Sequence, residues 1–180
     1  EDMGSCFGDY YQWGRNADGH EKKDSEMLEE ASSSTNPDGG FFYIKNSDWT
    51  TGDEDGILRV EYWSKTDGSS VCPVGFRVPT YDELHVETVS SVTSWLGKFP
   101  SSNFLKAPTS GLRTYGVIVY NGDYGLIDVS DRKGFLWTTD FVSDTSYYEN
   151  QANIISFDTG SMKGGMGARA IGAPVRCIKD

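Results

Sequence analysis

Apolar positions along this chain come in short, separated groups rather than in long periodic stretches. Phe76 and Val78 alternate around Arg77, between Gly75 and Pro79, as a short half-buried strand does. Pro79 ends that strand, and Thr80 followed by Glu83 has the capping-box spacing of a helix start. Leu84, Val89, Val92, Trp95 and Leu96 then recur near the helical period, predicting one amphipathic helix over residues 80–96 with Gly97 as its C-cap. Tyr11 and Trp13 alternate between Gly8 and Gly14 as a short core strand. Two apolar pieces, 117–119 and 126–129, flank the hairpin signal Asn121-Gly122. Residues 134–139 and 153–157 read as two more strands, 158–160 as a turn, 165–170 as a flexible glycine loop, and 174–180 as a closing strand.

Between residues 16 and 70 the pattern turns polar, which predicts an excursion rather than a core. Ser25 to Ala31 suits a short helix with Met27 and Leu28 inward, while Phe41 to Ile44, Trp49 and Trp63 look like apolar strips that tie the excursion down. Gly52-Asp53-Glu54-Asp55-Gly56 invites a calcium reading. It lacks the downstream glutamate and spacing of an EF-hand loop, so a solvated turn is the expectation.

Composition narrows the class. A chain of 180 residues with 37% apolar and 13% aromatic content has the length of one domain, and 21 glycines with ten tyrosines favour a loop-rich, strand-dominated fold. Net charge is −11, which leaves no basic surplus to neutralise phosphates and argues against nucleic acid or anionic membranes as partners. No apolar run approaches the roughly 20 residues of a membrane span, so no membrane insertion is expected. The chain opens at Glu1 without methionine, as a processed or trimmed piece would.

Catalytic chemistry is sparse. His20 lies in the polar excursion, and His85, beside Glu83 and Glu87, reads as a solvated helix face. No HExxH, CxxC, GxSxG or phosphate-loop pattern occurs. Residues 165–170 match the loose dinucleotide pattern, but only ten residues follow, too few for a βαβ unit. No catalytic residue, metal ligand or cofactor is therefore assigned. The three cysteines, Cys6, Cys72 and Cys177, leave both free thiols and a bridge open.

Cys72-Pro73-Val74-Gly75-Phe76 with Pro79-Thr80 and Glu83, the ending Val175-Arg176-Cys177, Tyr11-Gln12-Trp13-Gly14, Gly111-Leu112-Arg113, the run 134–139 and Arg169-Ala170 with Gly172 together resemble the Fibrobacter succinogenes major paralogous domain. Phe76 stands where that family usually has tryptophan, and the polar segment is longer than its relatives carry. The resemblance implies an α+β, C-type-lectin-like fold, related to formylglycine-generating enzymes: curled antiparallel sheets with one or two helices and long loops. It implies a single domain over residues 1–180 with a polar insertion at about 16–70. It also implies a Cys72–Cys177 disulfide, with Cys6 free or paired elsewhere.

The remaining signal is a tyrosine-rich stretch, 140–151, that mixes rigid rings with adaptable Ser, Asn and Asp, a composition suited to binding surfaces. In retroelement-diversified proteins of the same fold, the variable ligand-facing residues lie between a Trp-centred strand and the closing strand, which here maps to residues 138–170. The expected function is therefore a noncatalytic adhesin or receptor-binding module, extracellular, on a cell surface or on a virion. It would bind a protein or glycan through Asp140, Phe141, Asp144, Tyr147, Tyr148 and Asn150, with Tyr115, Tyr120 and Tyr124 as neighbours. The alternatives are an enzyme related to formylglycine-generating proteins and a structural module of a larger surface protein.

Overall fold

A computed structural model of the chain describes residues 8–45, 47–86, 109–114, 117–119, 133–141, 150–157 and 162–180. The fold is mixed α+β, and the described residues form mostly short strands with two helices and four small sheets. Among the described residues, no helix is long and apolar enough to cross a membrane.

The longest strands, β7 (Gly134–Phe141), β8 (Gln151–Phe157) and β9 (Met162–Ala168), form an antiparallel sheet in that order. Its register aligns Leu136 with Ile155, and Trp137 with Ile154. Both faces are covered. Leu136, Ile155, Phe157 and Met162 pack against Leu84 of a helix on one side, while Trp137, Ala152 and Ile154 pack against Trp13, Trp63, Val78 and Ala173 on the other. This double burial is why Phe135-Leu136-Trp137 and Ile154-Ile155 read as continuous apolar runs instead of alternating ones. The outer edge of β7 is satisfied by chain rather than by a strand: Trp137 N–H donates to Pro174 O at 3.0 Å and Thr139 N–H to Pro79 O at 2.9 Å.

The covering helix, α2 (Tyr81–His85), begins where the capping box predicts. Thr80 N–H donates to Glu83 Oε2 at 2.8 Å, and Glu83 N–H to Thr80 Oγ1 at 3.3 Å. The rest of the expected helix, with its Gly97 cap, lies outside the described residues. β4 (Phe76–Arg77) pairs antiparallel with β11 (Ile178–Lys179), so the short strand expected around Arg77 meets the closing strand. Cys72 and Cys177 are joined there by a disulfide.

A second sheet has the order β1 (Tyr11–Gln12), β10 (Gly172–Ala173), β5 (Leu112–Thr114) and β6 (Val117–Val119). It draws together three of the motifs that carry the family resemblance, because Gly172 pairs with both Gln12 and Arg113. β6 pairs with β5, while Asn121-Gly122, residues 126–129, the 158–160 turn and Cys6 lie outside the described residues.

Two expectations fail for physical reasons, and one helix was not expected. Ser25 to Ala31 is not a helix: Met27–Leu28 is strand β2, parallel to β3 (Phe42–Tyr43), and Met27 is exposed. The Ser25 carbonyl, which a helix there would use, instead accepts Arg113 Nη2 at 2.6 Å, and the same guanidinium holds the preceding turn through the carbonyls of His20 and Lys22. Strand β9, Met162–Ala168, runs into residues 165–170, where a flexible loop was expected. Gly164 is required because the Tyr81 hydroxyl occupies the space its Cβ would fill. Finally, α1 (Ile57–Trp63) went unforeseen because its polarity is inverted, with Ile57 59% and Leu58 55% exposed while Arg59 is buried.

The disulfide links residues 105 apart in sequence. Reduction, or the paired change of Cys72 and Cys177 to serine, should remove roughly 4 to 5 kcal/mol of unfolding free energy by the chain-entropy account. Urea denaturation with and without reductant measures this directly.

Candidate functional site

Three arginines inside the protein alternate with aromatic rings in one column. Arg15 Cζ lies 5.0 Å from the Tyr43 ring centre and 5.1 Å from that of Trp49. Arg59 Cζ follows, 5.6 Å from Trp49 and 5.0 Å from Trp13. Arg169 Cζ completes the order, 5.0 Å from both Trp13 and Phe141. Every separation is within the roughly 6 Å over which a ring face attracts a cation, and all three arginines are almost wholly buried.

Local backbone builds the column. The carbonyls of Tyr11, Trp13 and Arg15 each accept an indole N–H, from Trp137 at 2.9 Å, Trp49 at 2.8 Å and Trp63 at 3.2 Å. Gly14, between them, has φ 72°, and a Cβ there would overlap the Arg59 side chain. Glycine is needed for both reasons.

Carboxylates flank the column and balance it. Asp48 grips Arg59 through two bonds, Nη1–Oδ1 at 2.6 Å and Nη2–Oδ2 at 2.9 Å, and also accepts Arg169 Nη1 at 3.2 Å. Asp53 accepts Arg59 Nε at 3.1 Å together with the N–H groups of Leu58 and Arg59, so it caps α1 and pairs with a side chain of that helix. Asp18 accepts Arg15 Nε at 2.9 Å. Burial would raise the Asp53 carboxyl, but these donors outweigh it and hold the group below its ordinary value. Burial also pushes the Arg15 and Arg169 guanidinium groups down, a tendency that Asp18 and Asp48 oppose.

The turn expected at residues 52–56 is present, with Gly52, Glu54 and Asp55 exposed but Asp53 buried, and the expected coreless excursion is corrected. Asp53 is 6% exposed, and the excursion supplies Tyr43, Asp48, Trp49, Asp53 and Arg59 to the interior. Trp49 and Trp63 do anchor it, as expected. Asp48, Asp53 and Arg59 gave no sequence signal, since a buried ionic cluster and a solvated turn share one composition. Arg169 and Arg113 were visible only as members of the resemblance motifs.

Of the expected ligand-binding residues, Asp144, Tyr147 and Tyr148 lie outside the described residues, as do Tyr115, Tyr120 and Tyr124. The other three sit at one end of the central sheet and have intramolecular partners. The Asp140 carboxylate accepts Tyr81 N–H at the start of α2. Phe141 packs on Trp13, with ring centres 5.9 Å apart, and under Arg169. Asn150 has φ 62°, and its carbonyl accepts Arg169 N–H at 3.0 Å. One arginine therefore contacts both stems of segment 142–149, its guanidinium at Phe141 and its backbone at Asn150.

One group resembles a metal site in composition: Asp18, His20 and Glu21. Its ligand atoms are engaged otherwise. His20 Nε2 accepts Gln12 N–H at 3.0 Å, which places the proton on Nδ1, 2.7 Å from Asp18 Oδ1. Glu21 Oε2 accepts Gly19 N–H at 2.9 Å. A cation would have to displace these bonds, so the cluster is a hydrogen-bonded turn.

No protein-family model, curated protein or solved structure matches this chain.

The column makes Asp48 the shared counter-charge of two buried cations. Asp48→Asn should cost about 3–5 kcal/mol in urea denaturation, because it leaves buried charge unpaired. Glu54→Gln, at an exposed acid of the same loop, should change stability by less than about 0.5 kcal/mol.

Proposed function

We propose that this chain is a noncatalytic ligand-binding module of the C-type-lectin type, displayed outside the cell or on a virion. It recognises a protein or glycan through the tyrosine-rich stretch at residues 140–151. The observation that carries the reading is the anchoring of both stems of segment 142–149 by Arg169, at Phe141 and Asn150. Fixed stems lower the ordering cost of a connecting segment, and tyrosines with small polar residues supply contact area at low entropy cost. The Cys72–Cys177 disulfide is compatible with an oxidising, extracellular setting and engages two of the cysteines that a reactive thiol pair would need.

The family likeness to retroelement-diversified proteins extends the proposal: the segment is a diversified one. Sequencing the neighbouring kilobases should find a near-copy of the 138–170 coding region, differing at adenines, beside a reverse transcriptase. A locus without them removes diversification and leaves a fixed binding surface.

Binding itself is checked on a glycan array and a displayed peptide library. Tyr147→Ala with Tyr148→Ala should abolish the signals given by the native protein while the melting temperature stays within about 2 °C. Retained binding overturns the assignment of the segment. A large loss of melting temperature places the rings in the core and overturns it equally.

A further inference from the structure

His20 is fully buried, and both of its ring nitrogens are engaged in a way that only the neutral ring permits. Nδ1–H donates to Asp18 Oδ1 at 2.7 Å, and Nε2 accepts Gln12 N–H at 3.0 Å. Through this bond, and through Tyr10 N–H to Glu21 O at 2.8 Å, the turn at residues 18–21 is fastened to β1.

We propose that this fastening is an acid-opened latch. Protonation puts an N–H on Nε2, directly opposite the Gln12 N–H. Two donors then face each other where donor and acceptor stood, and the turn must part from β1. Gln12 is also the tie between distant segments: its side-chain amide donates to Tyr43 O at 2.7 Å and to Ala170 O at 2.8 Å. Opening the latch therefore loosens β1 where it holds Tyr43, the end of the arginine column, and Ala170, the neighbour of Arg169.

The surrounding charges do not favour the extra proton. Arg15 and the Arg113 guanidinium, which donates to His20 O at 3.1 Å, are matched by Asp18 and by Glu21, whose Oε2 lies 3.6 Å from Nδ1. Lys22 is paired with Asp9 at 2.8 Å near the surface, and Asp24 is exposed. The remaining walls are the Tyr11 and Phe42 rings. A charged imidazole would be a surplus buried cation. Consistent with this, burial pushes the ring below its ordinary titration range, against the pull of Asp18. The sign follows: the neutral latch is fully closed above the ordinary imidazole value of about 6.5, and closure is lost as pH falls below it.

Hydrogen exchange of the intact chain tests the latch. After correction for intrinsic rates, the opening constant of the Gln12 and Tyr10 amides should rise roughly tenfold per pH unit below about pH 6.5. In His20→Gln, which keeps an acceptor but cannot titrate, it should stay flat. An equal slope in the variant, or a flat profile in the native protein, overturns the proposal. The ring ¹⁵N shifts of the native protein give an independent reading that does not rely on the variant folding. A neutral Nδ1–H ring at about pH 6 supports the latch, and an imidazolium at that pH overturns it.

Discussion

Cation–ring attraction inside the protein is the constraint on which the structure depends. Three guanidinium groups cannot leave water unless their charge is met and their faces are packed, and here the two tasks are divided. Asp18, Asp48 and Asp53 meet the charge from the side, while the faces of Tyr43, Trp49, Trp13 and Phe141 fill the space above and below. The rings in turn need their own N–H groups satisfied, which the carbonyls of Tyr11, Trp13 and Arg15 do. Neither the aromatic set nor the ionic set is stable in this place without the other.

This changes the meaning of the polar segment between residues 16 and 70. By composition it is an appendage to the rest of the chain. Physically it is part of the core, because its Asp18 and Asp48 pair with Arg15 and Arg169 from outside the segment, while Asp48 and Asp53 also hold its own Arg59. Its polar character reflects the interior it helps to make as much as the solvent it touches. The turn at Asp53 illustrates the point: one carboxylate caps a helix, fixes an arginine of that helix and closes a loop.

Legibility from sequence followed the kind of force involved. The capping box at Thr80 and the strands expected at 134–139 and 153–157 were readable, because local hydrogen bonding and apolar patterning set them, whereas the joining of Cys72 to the closing strand came from the family resemblance. Helix α1 was not, since its exposed Ile57 and Leu58 and its buried Arg59 reverse the usual pattern. The glycines of β9 suggested looseness. In the fold they mark close approach, by Tyr81 over Gly164 and by the Trp137 ring beside Gly167. For the candidate site, composition pointed to the tyrosine-rich stretch, but nothing in it showed that Phe141 and Asn150 are stems held by Arg169. That link joins residues through space alone.

The column also sets how this chain must fold. Its members come from near both ends and from the middle: Arg169 meets Asp48 across 121 residues, and the Trp13 indole bonds Thr138 across 125. No early, local intermediate can contain it, so a large loop-closure entropy is spent before any of its contacts form. Such topology favours slow folding. The same late assembly gives kinetic persistence, because interactions absent from the transition state hold back unfolding once they are made.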